Sequence, residues 1–184
     1  MNKKSALILV DVQKAFDDPK WGERNNLDAE ENISKILKTW RDKGNKVIHI
    51  QHKSDNPDSV FHPNNEGFAI KELVSPLEGE VVITKKVNSS FIGTNLEELL
   101  NINKIKTVVI TGLTTPHCVS TTTRMSGNLG FETYLISDAT AAFGMEDQNG
   151  NYYKPDIIHD VSLATLHDEF ATILTTEQLL KLIE

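Results

Sequence analysis

Short unbroken apolar runs alternate along this chain with segments whose apolar residues recur every three or four positions. The first run, SALILV at 5–10, ends in Asp11 and reads as a strand buried on both faces. Asp28-Ala29-Glu30-Glu31 then offers an N-cap and an acidic first turn to a helix that carries Ile33, Ile36, Leu37 and Trp40 on one face and stops near Gly44. KVIHIQH (46–52) predicts a second strand, and the Asn- and Pro-rich SDNPDSVFHPNNEG after it predicts a polar loop. EVVITK (80–85) reads as a third strand, Thr94 as the cap of a short helix NLEELLN, and KTVVITG (106–112) as a fourth strand. Pro116 to Leu129 predicts a helix closed by Gly130, and FETYLIS (131–137) a fifth strand. A loop rich in Gly, Asn and Asp follows, then a helix over 156–168, the strand FATILT and a terminal helix TEQLLKLIE.

Strands that read as apolar runs and alternate with helices predict an α/β fold, a mostly parallel six-stranded sheet with helices on both faces. Ligands of such sheets sit at the carboxyl ends of the strands. Asp11, His52, Lys85 and Thr111-Gly112 all fall at or just beyond those ends, so separate segments deliver polar groups to one rim.

Composition narrows the classes. The 184 residues, 39% hydrophobic and 24% charged, fit one globular domain spanning 1–184. A net charge of -7 disfavours nucleic acid or an anionic membrane as partner and leaves a small molecule taken from water. One cysteine excludes an internal disulfide, and the apolar run before Asp11 is too short for a signal peptide, so a cytoplasmic protein is expected.

That cysteine lies in TGLTTPHCVSTTTR (111–124). With Thr115 as N-cap and Pro116 at the first helical position, Cys118 becomes the third residue, where free N–H groups favour a thiolate and lower its pKa from about 8.5. The alternative is a small buried residue packed on the sheet. His117 is not its base, because successive helical residues point about 100° apart; His117 and Thr115 are left as polar pocket contacts. Asp11, at the end of a buried strand, suits proton transfer, and Lys85 supplies a cation for thiolate or substrate; Lys86 beside it offers the same chemistry. In the expected reaction Asp11 accepts the thiol proton, Cys118 attacks an electrophilic carbon, and backbone N–H groups of Thr114 and Cys118 hold the oxyanion.

LILVDVQKAF around Asp11, ITKKVNSSFIGTNL around Lys85, VVITGLTTPHCVSTTTRMSGNLGF around Cys118 and the following LISDATAAF together resemble the isochorismatase-like cysteine hydrolase superfamily. The resemblance implies a single Rossmann-like three-layer domain with strand order 3-2-1-4-5-6, an Asp11-Lys85-Cys118 triad and a cis peptide at Leu113–Thr114. It selects Lys85 over Lys86 by its distance from the Phe of NSSF. Nicotinamidases of that superfamily carry an Asp-x-His metal motif that is absent here, although His52, Asp55 and His62 are present; no metal or cofactor is expected. Because Cys118 is retained, amide or ureide hydrolysis through a thioester is the first reading. Vinyl-ether hydrolysis of an isochorismate-like substrate is the second, and a non-catalytic small-molecule binder the alternative from another class. Phe16, Trp21, Phe61 and Phe91 are candidate pocket walls. A thiol redox cycle lacks its second cysteine. The resemblance also implies a homo-oligomer, dimer or tetramer; separately, the 143–155 loop with Tyr152 and Tyr153 is a candidate to close a neighbour's pocket or the chain's own.

Overall fold

The computed structural model describes residues 5–183. β1 (Ser5–Val10) lies between β2 (Lys46–His52) and β4 (Thr107–Leu113), parallel to both. Adding β3 (Val81–Lys85), β5 (Glu132–Ala141) and the last strand, β8 (Thr172–Leu174), gives one six-stranded sheet in the order β3-β2-β1-β4-β5-β8. Every pairing in it is parallel. This is the order expected from the resemblance; the sixth strand is numbered β8 because an antiparallel hairpin, β6 (Met145–Glu146) and β7 (Tyr152–Tyr153), forms inside the loop before it.

The two-residue period of β1 divides the core. Leu7 and Leu9 point to one side, where α1 (Ala29–Asp42) packs Ile33, Ile36, Leu37 and Trp40 beside Leu179 and Ile183 of α5 (Thr176–Ile183). Ala6, Ile8 and Val10 point to the other, against Leu96 and Leu100 of α2 (Leu96–Ile102) and against Cys118 and Val119. Each fully buried Leu or Ile on these faces contributes about 1.5–3 kcal/mol. α3 (Ser120–Asn128) and α4 (Pro155–Ala164) complete the helical set. No helix among the described residues is long and apolar enough to cross a membrane.

One departure from the sequence reading matters to the site. β5 continues past Ser137, where the expected strand ended, to Ala141, because the pairing with β4 shifts between Ile110↔Leu135 and Gly112↔Thr140 and then resumes. Gly112 permits the close approach at that point: its φ is 121°, and a Cβ there would lie 2.0 Å from the Val10 carbonyl oxygen. Position 112 thereby holds the end of β4 against the end of β1, beside Asp11.

Candidate active site

Asp11 leaves β1 in the left-handed region, at φ 51°, with its N–H donated to the Ile50 carbonyl at 3.0 Å. Lys85 closes β3 and pairs in register with His52 at the end of β2. The alternation of β3 decides between the two lysines. Lys85 is 1% exposed, whereas Lys86 lies at the surface in an ion pair with Asp55 at 2.5 Å. Cys118 arrives from the third direction, on a widened π-type turn, Thr115–Val119, between β4 and α3; the Leu113–Thr114 peptide before it is cis.

Three acceptors converge on the Lys85 ammonium: Asp11 Oδ2 at 2.6 Å, His52 Nδ1 at 3.0 Å and Cys118 Sγ at 3.2 Å. The second Asp11 oxygen, Oδ1, is buried without a hydrogen-bond partner in the structure. Burial raises the Asp11 pKa above the usual carboxylate range against the opposing pull of Lys85. Cys118 corrects the sequence expectation of a depressed thiol pKa. Burial, together with the neighbouring Asp11 charge, pushes the thiol up to about 12 despite Lys85, so the resting sulfur keeps its proton. Removal from water sets the direction, and the N–H groups of His117 and Val119 in this turn are spent on the Thr114 carbonyl. Burial and the Lys85 charge push His52 down to about 4, leaving a neutral ring.

Asp11, His52 and Cys118 form the floor of a cavity of about 470 Å³ whose upper wall is aromatic, with Lys85 buried behind them. Phe16 meets Trp21 at 5.6 Å, Phe61 at 5.4 Å and Phe143 at 6.2 Å between ring centroids, and Trp21 and Phe143 stack at 5.9 Å. Trp21 is fixed by its indole N–H, donated to the Ala15 carbonyl at 2.7 Å. The lining carries one ammonium group, Lys20, at 5.0 Å over the Trp21 ring. His117 lines the cavity with its Nδ1 3.1 Å from the Thr114 hydroxyl.

Two expected contacts lie elsewhere. Phe91 is in the core, stacked on Phe131 at 6.2 Å, because its segment turns beneath α3. Thr115 neither caps the helix nor reaches the cavity; it is fully buried, with its hydroxyl 2.9 Å from Nδ1 of His159. Nor do His52, Asp55 and His62 assemble as a metal set: Asp55 is held by Lys86, and His62 Nδ1 accepts the Asn64 N–H at 3.2 Å. Among the described residues, the side chains that could jointly hold an ion are Asp11, His52 and Cys118, and the Lys85 ammonium already bonds all three.

Comparison with known proteins gives the family. The isochorismatase domain model matches residues 5–178. This chain belongs to the isochorismatase family. It is 77% identical over 180 residues to YrdC, an isochorismatase family protein of Bacillus subtilis (strain 168), covering 98% of this chain and 96% of that one. A crystal structure of an isochorismatase-family chain from Chromobacterium violaceum superposes with a TM-score of 0.96 at 40% identity, over 99% of this chain and 94% of that one. N-carbamoylsarcosine amidase of an Arthrobacter species is 30% identical over 149 residues, 70% of this chain and 56% of the amidase.

For an isochorismatase-family hydrolase, sequence reasoning missed two features of this site. Phe143 sits in a segment with loop composition and enters the aromatic wall only because β5 runs on to Ala141 and carries it there. The His52–Lys85 bond had one signal, the shared position of both residues at strand ends, but neighbouring strands had to be paired in register to reveal it.

Proposed function

We propose that this chain hydrolyses an amide or ureide C–N bond of a small molecule through a thioester on Cys118. One observation carries the reading: a buried carboxylate and a buried thiol on the floor of an aromatic-walled cavity share one ammonium, at 2.6 and 3.2 Å. The thiol proton passes to Asp11, whose unpartnered Oδ1 is a free acceptor, as sulfur bonds the carbonyl carbon. The oxyanion is assigned to the backbone N–H groups of Thr114 and Cys118. The C–N bond then breaks as Asp11 returns the proton to the departing nitrogen. Water next attacks the thioester, giving a proton to Asp11, and the released thiolate takes that proton back. A thiol held near 12 needs a base that acts during attack, which favours this sequence over a preformed thiolate.

The amidase among the relatives supports amide chemistry. The cavity also favours it over a substrate bearing two carboxylates, since Lys20 is the one cationic side chain of the lining. The test is a panel of primary amides, ureides and isochorismate, followed by ammonia release and by mass spectrometry of the protein. An acyl adduct on Cys118 and a loss on the order of 10³-fold or more in Cys118→Ala support the reading. Full activity in that variant would overturn it.

A further inference from the structure

The Lys85 ammonium has three N–H donors, and the proposed reaction accounts for two of their acceptors, Asp11 and Cys118. His52 takes the third at 3.0 Å and has no part in that reaction. We infer that His52 is a positioning residue: its Nδ1 holds the Lys85 ammonium aimed between Asp11 and Cys118.

The Lys85 side chain is 0% exposed, so water cannot serve a leftover donor. An unpaired N–H on a buried ammonium carries a desolvation penalty, and an ammonium free to turn would no longer point at the sulfur it has to support. His52 removes this penalty without adding charge. To accept at Nδ1 the imidazole must be neutral and carry its proton on Nε2, the state that burial and Lys85 both favour. The titratable groups facing Lys85 are therefore one carboxyl, one thiol and one neutral ring.

The ring is itself held from several sides. His52 and Lys85 are register partners on adjacent strands, so both side chains leave the sheet at one level. Gln13, fully buried, clamps the His52 backbone: its Oε1 accepts the His52 N–H at 2.8 Å and its Nε2 donates to the His52 carbonyl at 3.0 Å. Phe61 packs edge-on against the imidazole at 5.1 Å. Such restraint is what a group needs to fix the direction of a neighbour's proton.

The inference rests on Cys118 being the nucleophile, yet its test needs no substrate. Cys118 is the sole cysteine, so uptake of iodoacetamide measured by mass reports this thiol alone. His52→Leu should lower the alkylation rate near pH 9 about tenfold, equivalent to about one unit rise in apparent thiol pKa. His52→Asn, which can place an amide oxygen where Nδ1 stood, should restore the rate to within about threefold of wild type. In a Lys85→Met background the His52→Leu change should add nothing. Should the leucine variant lose its far-UV circular dichroism, His52→Ala gives the same comparison. A wild-type rate without the imidazole would overturn the inference, as would an asparagine variant as impaired as leucine, or a full further loss without Lys85. An inert amide panel with these shifts intact would refute the amide reading and leave this one standing.

Discussion

Two buried carboxylates, about twenty residues apart in sequence, are treated in opposite ways. Glu30 is the partner of two cations: Arg24 grips it in fork geometry at 2.9 and 2.6 Å, and Lys71 adds a bond at 2.8 Å. Burial alone would raise its pKa, but these bonds hold it at about 2. Asp11 has one cation, shared with a thiol and a ring, and one oxygen with no partner; its pKa is raised. A carboxylate with both oxygens bonded to cations is anchored as an anion and takes no proton near neutral pH. One left partly bare in a dry site can take one. The contrast separates a fastening from a working acid–base group without appeal to position in the fold.

The largest expected effect tests the working side. Asp11→Asn keeps the shape and removes the base, so turnover should fall on the order of 10³-fold. The same change removes the negative charge beside Cys118, so the thiol pKa should drop below its value of about 12 while the enzyme is dead. A more acidic thiol joined to lost turnover, read by alkylation against pH, identifies Asp11 as a base. If activity survived, or thiol acidity were unchanged, the contrast with Glu30 would collapse.

Glu30→Gln tests the fastening. Its loss should lower stability at pH 7 by about 2 kcal/mol, in the range for hydrogen bonds to a charged group. Because the folded pKa is depressed, the stabilisation is fully present above the ordinary value of 4.5 and is lost as pH falls from there to about 2. Wild type should lose stability steeply across that window in urea melts, and the glutamine variant should lose less. Parallel curves would show that the ion pairs contribute nothing.

The sequence made some of this difference visible. Asp11 ends an apolar run, and a charge placed where a buried strand stops is anomalous enough to single out. Cys118 is a lone thiol at a helix entrance, and the Asp11, Lys85 and Cys118 segments resemble one family in one order. Strand existence was equally legible, because SALILV and KTVVITG are short apolar runs, of strand rather than helix length, set between helical patterns. What stayed hidden depended on pairing between distant segments. Glu30 looked like a first-turn acid favoured by the helix dipole, and nothing local announced that Lys71, 41 residues on, would reach it. Phe91 and Phe143 exchanged roles for the same reason, since which aromatic ring meets the cavity is set by how far β5 extends and how the 87–95 segment folds under α3. The thiol's direction of shift was also misjudged, because helix entrance is a local feature whereas burial belongs to the whole fold.

The two regions meet along one wall, and the smallest prediction lies there. The segment from Phe16 to Glu30 carries Trp21 into the cavity and is stapled to the end of β5, where Arg24 bridges Phe143, Gly144 donates its N–H to the Glu23 carbonyl at 3.0 Å, and Asn25 donates to Ala142 at 3.1 Å. Phe143 thus stacks on Trp21 at 5.9 Å from a strand end fixed by the fastening, in the aromatic wall of the cavity. Phe143→Leu keeps apolar bulk and deletes ring-on-ring contact worth about 0.5–1.5 kcal/mol, so KM for a turned-over amide should rise about 2- to 10-fold with kcat nearly unchanged. A fall in kcat instead would mean that the wall orients the reacting carbonyl, and the separation drawn here between fastening and chemistry would have to be moved inward to the triad itself.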